Sequence, residues 1–160
     1  MEKKGLDLEI PGWGKLELRN ALFDLNGTLA LDGILPEAVK DRLHRLQEIL
    51  AVYVITADTH GTVDDLLKDC DLEIVRIEVG NEAVQKCDFL EKLGASHTVA
   101  LGNGANDAFM LRKARLGISV MQGEGTAMHA LLAGDILVRS ADEALDLLLK
   151  PARLVATLRA

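Results

Sequence analysis

An aspartate follows a short apolar run near the start of the chain, in the stretch ALFDLNGTLA at residues 21–30. A carboxylate at the carboxyl end of a buried strand lies where open α/β sheets place their ligands. Asp24 can act there as a nucleophile toward phosphate, because carboxylates form aspartyl-phosphate intermediates that divide one difficult transfer into two easier steps. Gly27 lets the chain turn sharply, and Thr28 can brace the turn with its hydroxyl. Taken alone, Asp24 fits equally well as a carboxylate that caps this turn.

Three later stretches carry groups that suit phosphate or a metal ion. Thr56 ends an apolar run and is followed by Ala57, and a hydroxyl at this point can donate to a phosphate oxygen or cap the next helix. Lys86 lies within a helical stretch, where a lone lysine is most often a solvated surface charge. The glycine-rich loop GNGAND, at residues 102–107, gathers three oxygen-bearing side chains. Such oxygens on a tight turn suit Mg²⁺, and the alternative is a polar loop that caps a helix.

The composition limits the classes of function that the chain can serve. Of its 160 residues, 49% are apolar and only 3% aromatic, so the core is aliphatic. The aromatic platforms on which proteins stack single-stranded nucleic acid are therefore nearly absent. The formal net charge of −7 also argues against a general nucleic-acid binder or a binder of anionic membranes.

The cysteines and the N-terminus indicate the cellular compartment. Cys70 and Cys87 fit no zinc motif and no disulfide framework, and we expect both thiols to be reduced. The N-terminal sequence MEKKGLDLEI lacks the apolar region of a signal peptide. No apolar run approaches the roughly 20 residues that a membrane-spanning helix needs. These features predict a cytoplasmic protein that does not enter a membrane.

Hydrophobic periodicity predicts strands that alternate with helices and hold the polar groups in place. The predicted strands lie at residues 6–10, 15–19, 21–25, 51–56, 72–79, 98–102, 116–120 and 135–138. The predicted helices lie at residues 36–50, 62–67, 81–93, 106–114, 124–133, 141–149 and 152–159. Asn81 is a candidate cap for the third of these helices.

The order of these elements predicts an α/β fold. The first two strands, joined by the turn PGWG, form an antiparallel hairpin. The later strands alternate with helices, which predicts a three-layer, Rossmann-like, doubly wound parallel sheet. No low-complexity linker or internal repeat divides the chain, so we predict one domain over residues 1–160. About 30 residues separate Thr56 from Asp24 on one side and from Lys86 on the other, too few for an inserted cap domain of independent stability.

In this order and strand context, the motifs resemble those of the haloacid dehalogenase-like hydrolase superfamily, which includes aspartyl-phosphate-forming phosphatases and P-type ATPases. FDLNGTL is similar to its first motif, D-x-D-G-T-[LV], and VITA is similar to the second. Lys86 corresponds to the lysine of the third motif. GNGAND is similar to the fourth, G-D-G-x-N-D, and AFML continues it much as in P-type ATPases. The resemblance extends over nearly the whole chain from residue 15, and is strongest to small soluble proteins described as P-type ATPase-like.

The resemblance implies roles toward phosphate for five residues. Asp24 is expected to be the nucleophile. Thr56 and Lys86 are expected to hold the transferring phosphoryl group and to offset its charge. Ala57 and Asn106 are expected to contact phosphate. The substrate would be a phosphorylated small molecule or macromolecule.

The resemblance also implies a Mg²⁺ site. Asp24 is expected to be a ligand, and Asn26 is expected to offer its backbone carbonyl. Asn103 and Asp107 are expected to complete or support the site. The metal would orient phosphate and screen the repulsion between two anions.

Two asparagines depart from the family pattern. Asn26 stands where most phosphatases of the family have a second Asp that acts as general acid and base, and an amide cannot exchange a proton near neutral pH. Asn103 replaces the first Asp of the fourth motif, so Mg²⁺ should bind more weakly. We therefore expect slow turnover or a long-lived phosphoaspartate. The alternative is a non-catalytic domain that binds a phosphorylated ligand or a protein partner.

Without a cap, the expected site is open. Either a large substrate covers it or a neighbouring subunit does. The hairpin and the aliphatic C-terminal segment can supply a homo-oligomer contact, although packing on their own sheet is the favoured interpretation. The chain has neither the nucleotide-binding domain nor the membrane region of an ion pump, so ATP use is a weaker expectation than phosphatase activity.

Overall fold

The computed structural model describes residues 2–58 and 61–160, and the strands follow the predicted order. The strands are β1 (Leu6–Ile10), β2 (Gly14–Leu18), β3 (Asn20–Asp24), β4 (Ala51–Thr56), β5 (Glu73–Arg76), β6 (Thr98–Gly102), β7 (Leu116–Val120) and β8 (Ile136–Val138). The α-helices are α1 (Glu37–Leu46), α2 (Thr62–Leu67), α3 (Glu82–Leu93), α4 (Ala108–Lys113), α5 (Met128–Ala133), α6 (Ala141–Leu149) and α7 (Pro151–Leu158). Single 3₁₀ turns precede β6 and α4.

Six of the strands form one parallel sheet in the order β5-β4-β3-β6-β7-β8. The remaining two pair as an antiparallel hairpin, with Leu6 opposite Leu18. This arrangement confirms the predicted fold class. From β3 the chain builds outward through β4 and β5, then returns to the other side of β3 with β6. At this switch point the connections leave in opposite directions, and a crevice opens beyond the carboxyl ends of β3 and β6.

Alternating side chains of the strands fill two aliphatic layers. On β3, Ala21 and Phe23 face one layer and Leu22 faces the other, and all three side chains are fully buried. The first layer lies under α1, α2, α6, α7 and the hairpin, and the second lies under α3, α4 and α5. Strands covered on both faces need continuous apolar runs, and β3, β4, β6 and β7 each contain one.

The hairpin and the C-terminal helix pack on the chain's own core. Ile10, Leu16 and Leu18 from the hairpin are buried in the same layer as Leu154 of α7. The backbone N–H of Ala160 also donates to the carbonyl of Pro11 at 2.9 Å. The packing that the sequence favoured for these segments is therefore the one observed.

Several element boundaries differ from the prediction. α1 ends at Leu46 and not at residue 50, because the chain turns at once into β4 and buries Leu50. α5 begins at Met128 and not at residue 124, after a turn in which Gly125 has φ +81°. β5 covers only four residues, as suits a sheet edge. Asn81 does stand before α3, but its φ of +54° is left-handed and its side chain makes no capping bond.

The connections around the sheet's carboxyl edge are short. Between β3 and β4 the chain forms two isolated bridges, Asn26 with Ala30 and Leu31 with Ile34, before α1. Between β4 and α3 the described residues form only α2 and β5. No cap domain is built from these residues. In the described part of the chain, no helix has both the length and the apolar character that a membrane crossing requires.

A charged pair joins helices that are far apart in sequence. Arg42 of α1 donates from Nε to Asp146 Oδ1 at 2.9 Å and from Nη2 to Oδ2 at 3.2 Å. Asp146, on α6, is buried, and the Arg42 guanidinium holds the pKa of that carboxyl below its usual value. This pair fixes the register of α1 against α6, since a bidentate contact tolerates little sliding.

We expect Arg42→Met to lower the free energy of unfolding by about 1–3 kcal/mol, because Asp146 would lose its bidentate partner. The decrease in unfolding free energy should have its full size at neutral pH. It should shrink as the pH falls below about 4, where Asp146 becomes protonated in the unfolded chain and then in the folded one. Urea unfolding at several pH values measures it. Arg139→Met, which breaks an exposed pair with Glu143 one turn away, is the control. An equal loss in both variants would contradict the assigned role.

Candidate active site

A cavity of about 430 Å³ opens at the carboxyl edge of the sheet, where β3 and β6 diverge. It is lined by seven of the residues that the sequence singled out: Asp24, Asn26, Thr56, Ala57, Lys86, Asn103 and Asn106. Asp24 ends β3, Thr56 ends β4, and Asn103 follows β6 directly. Because these strands are parallel and adjacent, their ends lie at one edge, and residues distant in sequence meet in one cavity.

Lys86 is a buried cation held between two carboxylates. Only 3% of the residue is exposed. Its Nζ donates to Asp24 Oδ1 at 2.9 Å and to Asp107 Oδ1 at 2.8 Å. The surface interpretation of this helical lysine is therefore wrong. Its side chain points inward from the middle of α3, as the resemblance implied.

Burial controls the ionisation of this cluster. Burial raises the pKa of Asp24 to about 7, and the charge of Asp107 adds to the rise, while Lys86 and Thr28 oppose it. Burial lowers the pKa of Lys86, but the charges of Asp24 and Asp107 more than offset this, so the pKa of the lysine lies above its usual value. Two carboxylates against one ammonium leave excess negative charge beside the cavity.

Asp107 lies beneath the cavity and not on its wall. It is fully buried, and Oδ1 accepts from Lys86. Its other oxygen, Oδ2, accepts from the backbone N–H groups of Asn103 and Gly104 at 3.0 Å and 2.9 Å. A side chain at Gly102 would meet the Asp107 carboxyl at 2.5 Å, so the loop closes tightly only with glycine there. Asp107 therefore braces the loop, and of the two expected roles the supporting one fits its position.

The oxygens of Asp24 and Asn103 converge on one hydroxyl. Thr28 Oγ1 lies 3.1 Å from Asp24 Oδ2 and 3.2 Å from Asn103 Oδ1, and its single proton serves either acceptor. Asn103 Nδ2 donates to the carbonyl of Gly125 at 3.1 Å, which aims its Oδ1 at Thr28. Gly27 has φ +79°, and a Cβ there would lie 2.5 Å from Asn103 Nδ2. Thr28 and Gly27 thus hold the turn as the sequence predicted.

This donor set fits Mg²⁺. Mg²⁺ is usually held by one or two carboxylates, further oxygens and water. Asp24 supplies a carboxylate, and Asn103 supplies a neighbouring amide oxygen. Among the described residues no group of three or more His, Cys, Asp or Glu side chains is placed to hold a metal. The site is therefore poorer in carboxylates than a dedicated metal cage.

Thr56 and Asn106 differ in what they can offer a ligand. Thr56 Oγ1 accepts from the backbone N–H of Asp58 at 3.1 Å, which leaves its proton to donate. It does not cap α2, which follows Gly61. Asn106 already makes two bonds within the protein, since Oδ1 accepts from Lys86 at 3.2 Å and Nδ2 donates one proton to Glu82 at 3.0 Å. Because the amide nitrogen carries a second proton, Asn106 can donate to phosphate without breaking either bond.

Asp58, Val79, Glu82 and Gly104 also line the cavity, and the sequence reasoning did not assign them. Glu82 lies four residues before Lys86 on α3, and this spacing places both side chains on one face of a helix. Asp58 directly follows the Thr56–Ala57 pair. The sequence positions of Glu82 and Asp58 could therefore have indicated that they line the site. Val79 had no such signal, because it lies in an irregular segment between β5 and α3.

Comparison with known proteins gives a consistent set of relatives. No protein-family model matches the chain. It is 39% identical over 92 residues, 55% of its length, to an uncharacterized protein of Methanocaldococcus jannaschii, and the match covers 99% of that protein. It is 32% identical over 116 residues to a probable copper-exporting P-type ATPase of Archaeoglobus fulgidus. That match covers 71% of the chain but spans only 14% of the ATPase.

A solved structure shares the fold. It is the 3-deoxy-D-manno-octulosonate 8-phosphate phosphatase of Moraxella catarrhalis, in complex with a magnesium ion, a phosphate ion and a KDO molecule. The TM-score is 0.65 at 19% identity, and the match covers 89% of this chain and 94% of the phosphatase. The likeness therefore extends over the parallel sheet and its helices, and not over a local motif only.

We expect Asp24→Asn to stabilise the metal-free protein at neutral and alkaline pH. The folded-state pKa of Asp24, about 7, lies above its usual value, so ionisation costs the folded state stability as the pH rises from about 4 to 7. An amide avoids this cost, and the gain should reach about 1–4 kcal/mol above pH 7 and be smaller at pH 5. Urea unfolding in EDTA measures it.

Asp41→Asn, an exposed position on α1 with the same change in charge, is the control and should show no such pH dependence. Destabilisation by Asp24→Asn at every pH would mean that the ion pair with Lys86 outweighs the cost of burying the carboxylate.

Proposed function

We propose that the chain is a Mg²⁺-dependent phosphohydrolase or phosphotransferase of the haloacid dehalogenase-like hydrolase superfamily that acts through phospho-Asp24. Its motifs, the partial match to a P-type ATPase and the fold shared with a solved phosphatase support this proposal. The observation that carries the proposal is the buried Lys86 ammonium, bonded to Asp24 at the floor of an open cavity. A carboxylate, a buried cation and a free hydroxyl proton face one space, and this arrangement suits phosphoryl transfer.

In the proposed first step, an Asp24 oxygen attacks phosphorus, and the bond from phosphorus to the leaving oxygen breaks with its electron pair. Lys86 and the Thr56 hydroxyl donate to the phosphoryl oxygens and offset the charge that builds there. The leaving oxygen takes a proton from solvent. In the second step, water or another acceptor takes the phosphoryl group, and Asp24 is released as a carboxylate.

Mg²⁺, when bound, would neutralise charge on the phosphoryl group and on Asp24. Asp24, Asn103 and the backbone carbonyl of Asn26 would hold it. Asp107 would act from beneath, since its Oδ2 fixes the loop that carries Asn103. Mg²⁺ is supported as the metal by the magnesium ion in the solved phosphatase of the same fold.

The proposed turnover is slow, because the amide of Asn26 cannot act as a general acid or base near neutral pH. Asn26 is exposed at the cavity wall, where a general acid or base would have to act. A cytoplasmic location, a substrate that is a phosphorylated small molecule or macromolecule, and a single domain over residues 1–160 belong to the same proposal.

We expect the protein to hydrolyse an aryl phosphate in the presence of Mg²⁺, and Asp24→Asn to abolish turnover because an amide is not a nucleophile toward phosphate. Acetyl phosphate should label the wild type with one phosphoryl group, detected by intact mass in acid and removed by hydroxylamine. Asp41→Asn should keep both properties. Turnover that survives Asp24→Asn would remove the nucleophile assignment. No turnover and no label would favour a non-catalytic domain that binds a phosphorylated ligand or partner.

We expect Asn26→Asp to raise steady-state hydrolysis and to shorten the lifetime of the labelled enzyme, by up to about 10²–10⁴-fold, because it supplies an acid and base at the cavity wall. Asn103→Asp is the comparison variant. It should lower the Mg²⁺ concentration needed for half-maximal rate, with less effect on the lifetime of the label. Unchanged lifetimes in Asn26→Asp would show that another step limits hydrolysis.

A further inference from the structure

We propose that the cavity selects phosphate monoesters whose leaving group is neutral or cationic, and that Glu82 sets this preference. The inference rests on the proposed phosphatase function and concerns the same cavity. It predicts that nucleoside triphosphates and other polyanionic esters are poor substrates.

Negative charge exceeds positive charge around Asp24. Asp24, Asp58 and Glu82 line the cavity and Asp107 lies beneath it, which makes four carboxylates. Within the described residues that line the cavity, the one cation is Lys86, and both of its ion pairs are internal. One Mg²⁺ would offset two of the three excess negative charges, and the phosphate dianion would restore them. A leaving group that adds negative charge therefore meets repulsion and no further cation from these residues.

Glu82 is anchored at the wall of the cavity. Its Oε2 accepts from Asn106 Nδ2 at 3.0 Å, while Asn106 Oδ1 accepts from Lys86 at 3.2 Å. Lysine can only donate, so the Asn106 amide must present oxygen to Lys86 and nitrogen to Glu82. Glu82 is also half-buried. Its charge is thus held beside the space that a leaving group would fill, whereas an exposed glutamate could turn into solvent.

The same wall offers contacts that a neutral or cationic group can use. A carboxylate accepts hydrogen bonds from hydroxyl and ammonium groups. Val79, which is 76% exposed, lines the cavity as well and offers an apolar surface to a carbon skeleton. Hydroxylated or amino-substituted monoesters match this combination. The chain's net charge of −7 adds a long-range field that disfavours polyanions.

Three six-carbon sugar phosphates whose sugar is cationic, neutral or anionic test the inference: glucosamine 6-phosphate, glucose 6-phosphate and the open-chain 6-phosphogluconate. We expect kcat/KM with Mg²⁺ to fall in that order, with at least a tenfold span at low ionic strength that narrows as salt is added. ATP should be a poorer substrate than glucose 6-phosphate. These measurements use the wild type alone, so they do not depend on the folding of a variant.

Glu82→Gln separates charge from position, because Gln can still accept from Asn106. It should lower the ratio of kcat/KM between the cationic and the anionic ester by about two- to fivefold, as expected for one partly exposed charge. Glu91→Gln, on the same helix and with the same change in net charge, should leave the span unchanged. Glu91 pairs with Lys113 on the surface, outside the cavity.

The possible failures are distinguishable. Equal kcat/KM for the three esters, or faster turnover of ATP than of glucose 6-phosphate, would overturn the charge preference and leave the phosphatase function standing on aryl phosphate turnover. If no ester is hydrolysed, calorimetry with the same three esters and Mg²⁺ decides. Affinities that fall from the cationic to the anionic ester would support the charge preference and contradict the phosphatase function. Affinities without that order would contradict both proposals.

Discussion

The ion pair of Lys86 with Asp24 and Asp107 is the interaction on which the site depends. The three residues come from the end of β3, the middle of α3 and the loop after β6, and Lys86 lies 62 residues from Asp24 in the chain. A buried ammonium is unfavourable without partners, and the charges of Asp24 and Asp107 offset the cost of burying Lys86. These ion pairs need not add stability, but they fix the end of β3, α3 and the loop after β6 relative to one another.

The sheet makes this convergence possible. Strands in the order β5-β4-β3-β6-β7-β8 send their connections to opposite sides of β3, and the polar residues follow the strand ends into the crevice. Two aliphatic layers hold the strands rigid from both faces. Polar atoms at the tips are satisfied locally, as where Asp107 accepts two backbone N–H groups. The loops can therefore be short and still precise in the atoms that they present.

Local pattern predicted most of this arrangement. Apolar runs defined β4, β6 and β7 to the residue, because a strand covered on both faces admits little polar interruption. The inward position of Lys86 was predicted from the family resemblance, because a single lysine in a helix carries no signal of burial. The bonds of Asn106 to Lys86 and Glu82 were beyond sequence reasoning, because they depend on how α3 approaches the loop before α4. The end of α1 was missed because tertiary burial of Leu50 overrides helical periodicity.

The two asparagines affect different properties of the site: Asn103 affects the charge near Lys86, and Asn26 affects proton exchange. Were position 103 a carboxylate, the cluster around Lys86 would carry still more negative charge, and the burial that raises the pKa of Asp24 would be joined by further repulsion. An amide there spares the metal-free fold this cost and offers Mg²⁺ less attraction. The side chain of Asn26 bears on proton exchange and not on this charge balance, because it lies at the exposed wall and not in the buried cluster. In the proposed mechanism, capture of a phosphoryl group depends on the cluster, and its release depends on an acid or base at the wall. The chain carries the first and has an amide in place of the second, so the proposed mechanism predicts a phosphorylated state that persists.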